Sequence, residues 1–286
     1  MKKPWLYLAG AFAFIANFAF QTSSMNITII GGGNLGAAIA EGLILSGFCQ
    51  PSSLTVTRRN IAVLKGLKEK GVSVTSDNKA AVKNADVVIL AVKPYNYKEI
   101  LSEMKTALSA KQHILVSVVT GAWIEQLSAS VGKKLPIVRA MPNTAIAIQK
   151  SMTCLAYADA TAEQVVKVQT IFDQLGRTVI IDEKLMDAAT VLGACGTAYA
   201  MRYIRANIQG GIEIGFDAKT ASLIAAQTVL GAAELLLQTG SHPEAEIDKV
   251  TTPRGCTIAG LNEMEHQGFS SSLIKGISTS YEKIQK

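Results

Sequence analysis

The stretch Asn26–Phe48, NITIIGGGNLGAAIAEGLILSGF, runs from a short β-branched segment through a cluster of glycines into a helix of small residues. Its glycines fit G-x-G-x-x-G at Gly31, Gly33 and Gly36, placed directly after a strand and at the opening of a helix, which is the context this pattern needs to hold a nucleotide. Gly31 permits the tight turn, Gly33 lets backbone approach a pyrophosphate, and Gly36 brings helix and strand close together. The free amides of Asn34, Leu35 and their neighbours, with the helix dipole, favour the anion. A mere tight turn is the alternative, and the rest of the chain has to decide between the two.

Downstream, strand-like and helix-like segments alternate. SLTVTRR reads as a strand and NIAVLKGLKEKG as a helix ending on Gly71; VSVTS, the helical NKAAVKNA, the strand DVVILAV, the helix YNYKEILSEMKTAL and the strand HILVSVV follow. WIEQLSASVG, LPIVRAM, SMTCLAYA, AEQVVKVQTIFDQLG and RTVIID continue the series. Short apolar strands separated by helices pair in parallel with both sheet faces covered. The expectation is a doubly wound α/β domain of about 150 residues, in which the glycine loop binds a dinucleotide.

The end of the second strand refines the ligand. An NAD site usually places a carboxylate there for the ribose 2′-hydroxyl, but TVTRRN has none, and Arg58 and Arg59 offer forked donors suited to a 2′-phosphate. NADP is therefore favoured over NAD, against the alternative of two solvated arginines. Ligands of open α/β sheets lie beyond the carboxyl ends of the strands. Ala91, Val92, Lys93 and Pro94 of AVKP, Val118, Val119 and Thr120 of VSVVTG, and the end of VRAMPNTA with Pro142 and Asn143 should thus converge on one crevice.

After Asp182 the period becomes helical throughout, with caps at GFDAKTA and QTGSHPE. The helix from Ala218 to Gln238 is apolar or small on nearly every face, as in a buried core helix or a subunit interface; dimerisation is the favoured reading. In KVTTPRGCTIAGLNEME, Pro253 and Gly255 break the pattern and TIAGL restarts it, so Gly255, Cys256 and Thr257 present amides at a helix start, either for a carboxylate or in an ordinary helix–helix turn.

The 286 residues carry 49% hydrophobic and 17% charged side chains, enough for a large core and two domains. The net charge of +6 is scattered, without runs or interleaved aromatics, which argues against nucleic acid and suits small anionic ligands. Cys49, Cys154, Cys195 and Cys256 stand far apart and the three histidines lack ligand spacing, so a reducing compartment without structural metal is expected. Residues 1–24, with Lys2, Lys3 and an apolar run from Pro4 to Phe20, have the layout of a targeting or anchoring segment, yet AFQTSS is a poor cleavage site and Met25 directly precedes the first strand. A mis-assigned start is the favoured reading; a membrane enters only if the leader is real. Either way these residues are outside the fold.

GGGNLG, AVKP, RAMPNTA, GTAY and TTPRGCTIAGL, in this order across Met25 to Lys286, resemble the pyrroline-5-carboxylate reductase family of proline biosynthesis. The resemblance implies an amino-terminal Rossmann-type NADPH-binding domain over 25–182 and an all-α dimerisation and substrate domain over 183–286, in a cytoplasmic homodimer, frequently a ring of dimers. NADPH is the implied cofactor, with NADH at lower efficiency. It also implies that the proline-like ring binds at the dimer interface, its carboxylate on the amides of Gly255, Cys256 and Thr257, with the Thr257 hydroxyl near the ring nitrogen. Cofactor contacts carry over to the glycine loop, Arg58, Asn78, AVKP and Val118 to Thr120. The implied reaction passes hydride from NADPH to the C=N carbon of 1-pyrroline-5-carboxylate.

Two departures stand out. GACGTAY, Gly193 to Tyr199, lacks the family's serines and proline, and in TPRGCT, Arg254 replaces a glycine and Cys256 a threonine. Backbone-amide roles survive such changes, and Arg254 turned toward the ligand would add a carboxylate contact. The competing readings are another NADP-dependent imine or 3-hydroxyacid oxidoreductase, or a catalytically weak NADPH-binding relative. The 3-hydroxyacid enzymes are expected to carry a lysine on the interdomain helix, whereas Leu185 to Gln209 holds only arginines.

Overall fold

In the computed structural model, residues 25–285 are described; the leader-or-start reading of residues 1–24 lies outside them. Eight strands form one sheet: β1 (Ile27–Ile30), β2 (Leu54–Thr57), β3 (Ser73–Thr75), β4 (Val87–Leu90), β5 (Ile114–Ser117), β6 (Ile137–Met141), β7 (Ser151–Ala158) and β8 (Gly176–Ile180), in the order 3-2-1-4-5-6-7-8. β3–β2, β2–β1, β1–β4, β4–β5 and β5–β6 pair in parallel, with Ile27 opposite both Leu54 and Val87. β1, β4 and β5 are buried at every residue, which is why they read as continuous apolar runs rather than alternating ones. The chain winds outward from β1 to β3 and returns to β4 beside β1. That reversal opens a crevice at the carboxyl ends of β1 and β4.

The intervening helices are α1 (Asn34–Leu45), α2 (Lys65–Glu69), α3 (Asn78–Val82), α4 (Tyr97–Met104), α5 (Ile124–Val131) and α6 (Ala162–Asp173). Each turns an apolar stripe onto the sheet; Leu101 and Met104 of α4 and Leu127 of α5 join Leu90 and Leu115 in one core cluster. NIAVLKGLKEKG, expected as one helix, instead begins as a 3-10 turn, Ile61–Leu64, before α2. The side chain of Asn60 caps Ala62 N–H, and β-branched Ile61 and Val63 with Gly66 weaken α-helix there.

His113 ties this core together. It is 1% exposed; its Nδ1 accepts from Ser109 N–H at 2.8 Å and its Nε2 lies 2.9 Å from the Val82 carbonyl, so the neutral Nε2–H tautomer satisfies both. Burial pushes its pKa below 6.5, helped by Lys133 and opposed by the Val82 bond and Asp86. The unfolded chain therefore binds more protons than the folded one below that value, and stability falls as pH falls. Chemical denaturation from pH 7.5 to 5 should show this decline, at most about 1.4 kcal/mol per pH unit from this one proton, and His113→Gln should flatten it while lowering stability at pH 7.5.

By their internal contacts the described residues divide into a first unit, residues 25–139, 146–150 and 157–177, and a second, residues 140–145, 151–156 and 178–285. In the second unit the helices are α7 (Met186–Ala189), α8 (Gly196–Glu213), α9 (Ala218–Thr239), α10 (Pro243–Lys249), α11 (Cys256–His266) and α12 (Phe269–Ile284). α7 and α8 are joined by a π-helical segment, Thr190–Cys195, rather than continuing as the regular helix the sequence period implied. Thr190 Oγ1 donates to the Met186 carbonyl and Thr197 Oγ1 to that of Gly193, back-bonds that bend a glycine-containing helix. Tyr199 of α8 donates its hydroxyl to, or accepts from, Ser280 of α12 at 2.6 Å, and Tyr203 meets Phe269 ring to ring at 5.9 Å.

Candidate functional site

The first unit holds a cleft of about 990 Å³ at the carboxyl ends of its strands. Its floor is the glycine loop. Gly31 has φ +105°, and a Cβ there would stand 2.5 Å from the Ala91 carbonyl oxygen, so the turn tolerates only glycine. A Cβ on Gly36 would fall 2.1 Å from the Gly31 carbonyl, because α1 packs directly on the loop. Gly33 differs: a Cβ there meets nothing within 4 Å, and the space above it is open to a ligand. As the N-cap of α1, Gly33 leaves four amides, its own and those of Asn34, Leu35 and Gly36, outside the helical ladder. The three glycines thus sit in three different local environments.

Arg58 and Arg59 both line the cleft, but not equivalently. Arg58 Nη1 donates to the Gly32 carbonyl at 2.7 Å, which pins its guanidinium to the loop and leaves its other donors available. Arg59 is exposed at the rim. Asn78, Ala91, Val92, Lys93, Pro94, Val118 and Thr120 also line the cleft. Val119 does not: it is 2% exposed and packs into the core. Pro142 and Asn143 likewise fail to line it and belong to the second unit, where Asn143 donates Nδ2–H to the Gly193 carbonyl at 3.1 Å and accepts from Ala145 N–H at 3.0 Å. Its amide is committed to the π-helical segment.

Sequence reasoning missed Thr57, Ser76, Tyr95, Glu99 and Glu103, all on the cleft wall. A second cavity of about 530 Å³, lined among others by Asn26, Thr28, Ser52 and Gln112, has no ionisable lining residue.

In the second unit, α11 starts at Cys256 with Gly255 as N-cap, as the break in the pattern implied. Gly255 N–H, however, closes a turn onto the Thr252 carbonyl at 2.9 Å, so it is not available to a ligand. The amides left outside the ladder are those of Cys256, Thr257 and Ile258, and Ile258 went unnoticed in the sequence. A larger residue at 255 would have to displace Thr252: a Cβ would stand 2.5 Å from Thr252 Oγ1 and 3.0 Å from its carbonyl oxygen. Arg254 occupies a left-handed conformation, φ +62°, with an exposed side chain. A left-handed non-glycine residue costs about 1–2 kcal/mol, only part of which glycine's flexibility in the unfolded chain would give back. Arg254→Gly should therefore raise stability by roughly 0.5–1 kcal/mol, read as a rise of a few degrees in the thermal midpoint.

α9 is fixed by its ends: Asp217 caps Lys219 and Thr220 N–H, the Thr220 hydroxyl together with these amides holds its carboxyl below the usual range, and Gly240 closes the helix in a left-handed conformation. Between them Leu223, Leu230 and Leu237 recur every seven residues and are 70%, 49% and 58% exposed. The helix is long and apolar enough to cross a membrane by length and composition alone. Such a seam on a helix of this unit also suits a second protein surface.

Comparison with known proteins bears on both units. Residues 183–286 match the family described as pyrroline-5-carboxylate reductase dimerisation, and residues 26–121 the family described as NADP oxidoreductase, coenzyme F420-dependent. Pyrroline-5-carboxylate reductase 2 of Dictyostelium discoideum is 44% identical over 280 residues, covering 92% of this chain and 93% of that one. Pyrroline-5-carboxylate reductase 1 of the same organism is 47% identical over 269 residues, 90% of this chain but only 49% of that protein, so the chain spans about half its length. The solved pyrroline-5-carboxylate reductase of Coxiella burnetii superposes with a TM-score of 0.86 at 31% identity, covering 92% of this chain and 98% of that one.

Proposed function

The chain belongs to the pyrroline-5-carboxylate reductase family, and on that premise we propose that it reduces the cyclic imine 1-pyrroline-5-carboxylate to L-proline with NADPH. The observation that carries the reading is that one chain, aligned over nearly its whole length with such a reductase, holds both a dinucleotide-sized cleft and a helix start with free amides. The amino-terminal part is the family's NAD(P)H-binding domain, and the helical carboxy-terminal part is its dimerisation domain, which makes the protein a homo-oligomer. We assign these roles to residues 25–182 and 183–286, in a cytoplasmic homodimer.

The cleft fits the cofactor. Open space above Gly33 admits a pyrophosphate, the amides from Gly33 to Gly36 face it with the positive end of α1, and Lys93 adds a cation. The absence of a carboxylate at the end of β2, with Arg58 and Arg59 in its place, favours NADPH over NADH. When bound, the nicotinamide supplies the hydride that the imine carbon accepts. The chain's own residues hold and polarise the substrate. Cys256, Thr257 and Ile258 N–H bind its carboxylate at the start of α11, with Gly255 shaping the turn and Arg254 beside it. The Thr257 hydroxyl hydrogen-bonds at the ring nitrogen and keeps its own proton; the nitrogen takes one proton from solvent and the carbon one hydride, which together make the amine. Thr257 is the residue we assign a catalytic role.

Oxidation of NADPH by pyrroline-5-carboxylate tests this directly. Turnover is expected with NADPH preferred, and Thr257→Ala should lower kcat/KM about 10²-fold, as for loss of one donor to a reacting centre. The double variant Arg58→Ala/Arg59→Ala should erase the preference for NADPH over NADH. Tight NADPH binding without turnover would overturn the proposal.

A further inference from the structure

Asn78, which carries no charge, sits in the cleft between two residues that nothing above assigns. Its Oδ1 lies 2.6 Å from Thr57 Oγ1, and its Nδ2 lies 3.2 Å from Glu103 Oε2. Thr57 is 1% exposed at the last position of β2; Glu103 is exposed on α4. Thr57 Oγ1 also receives Gly31 N–H at 3.3 Å, one arm of a bond that this N–H shares with the Thr57 main-chain carbonyl at 3.2 Å. The donor and acceptor inventory fixes the direction of every bond in this chain. A carboxylate only accepts, so the nitrogen of Asn78 must face Glu103 and its oxygen Thr57. The oxygen of Asn78 only accepts, so Thr57 spends its one proton there and meets Gly31 with a lone pair. Asn78 is then left with one uncommitted N–H, while its carbonyl is engaged.

We propose that Thr57 and Glu103 are positioning residues that hold Asn78 as a hydrogen-bond donor to an oxygen of the dinucleotide and tie that donor to the glycine loop. The proposal rests on the reading of the cleft as an NAD(P)H site. Without the pair, the amide is free to rotate by half a turn and offer the ligand an acceptor instead, and an oxygen atom of a phosphate or sugar meets it with repulsion. Thr57 couples the two binding elements, because the same hydroxyl serves Gly31 in the loop and Asn78 at the start of α3.

The test is NADPH affinity by nicotinamide fluorescence, alongside KM for NADPH and KM for pyrroline-5-carboxylate, in the full chain. Thr57→Val keeps the shape and removes the hydroxyl, and should weaken NADPH binding about ten-fold, with KM for NADPH rising and KM for the imine unmoved. Thr57→Ser restores the hydroxyl and should return affinity to within about two-fold of the wild type. Glu103→Ala, at an exposed helix position that does not threaten folding, should give a smaller loss of about three-fold. In an Asn78→Ala background Glu103→Ala should not weaken binding further, and Thr57→Val should weaken it far less than about ten-fold, since both act mainly through that amide and Gly31 N–H keeps its bond to the Thr57 main-chain carbonyl. Wild-type affinity in Thr57→Val and Glu103→Ala, or losses that simply add to that of Asn78→Ala, would overturn the proposal while the cofactor reading stands. A wild-type chain that binds no NADPH would overturn both.

Discussion

Gly33→Ala and Gly36→Ala, three residues apart in one loop, should fail in different ways. In Gly36→Ala the new methyl group falls 2.1 Å from the Gly31 carbonyl oxygen, with Ile29 Cγ2 at 3.2 Å behind it. Neither neighbour is the free end of a flexible side chain, so α1 has to move away from β1. Overpacking of a tight core costs about 1–3 kcal/mol, and a backbone collision lies at the upper end. The thermal midpoint should drop by roughly 2–4 °C per kcal/mol lost, and NADPH affinity should fall at least about 10²-fold, because the displaced helix carries the amides that face the phosphate. In Gly33→Ala the methyl group meets no protein atom, and its backbone, φ −79° and ψ −167°, is open to any residue. The ligand-free protein should unfold at the wild-type temperature, while NADPH affinity falls because the methyl stands where the pyrophosphate must approach. The rise in unfolding temperature that saturating NADPH gives the wild type should be small in this variant. Wild-type NADPH affinity in Gly33→Ala would mean that the loop is only a turn.

The parts of this fold that were legible in the sequence are those where one physical signal dominates. β1, β4 and β5 are covered on both faces and carry unbroken apolar runs, and Gly31 and Gly36 are confined by close backbone contacts that no larger residue permits. The parts that were not legible depend on partners distant in sequence. Thr57 reads as one more β-branched residue in a strand until Asn78, 21 positions later, is seen against it, and Glu103 reads as a solvated helix residue until the same amide reaches it. Asn143, in a strand-end motif, has the chemistry of a ligand contact, but Gly193, 50 residues away, claims its donor. Gly255 has the chemistry of an anion-binding amide, but a local turn to Thr252 uses it, and the free amides shift one residue onward. Arg254, a departure from the family's glycine, shows the same limit from the other side: its left-handed backbone explains why glycine suits that position, and nothing in the sequence announces the φ.

Leu230→Lys/Leu237→Lys should separate the subunits and with them abolish turnover. Both leucines lie on the exposed seam of α9, within the segment that matches the dimerisation family. Burying a leucine contributes about 1.5–3 kcal/mol, and a symmetric dimer uses each position twice. Two positions in two subunits are thus of order 6 kcal/mol or more, about 10⁴-fold in the dissociation constant, before the added cost of burying lysine ammonium groups. Sedimentation should show monomer at micromolar concentration. Because the seam is on the surface of the isolated subunit, far-ultraviolet dichroism should remain that of a folded α/β protein, and NADPH binding to the first unit should persist, since every residue that lines its cleft belongs to that unit. Retained binding with lost turnover is the pattern that distinguishes an active site requiring the assembled dimer from one complete in each subunit. A monomer that turns over at the wild-type rate would place the whole reaction within a single chain, and an undisturbed dimer would move the interface to another face of the helical unit.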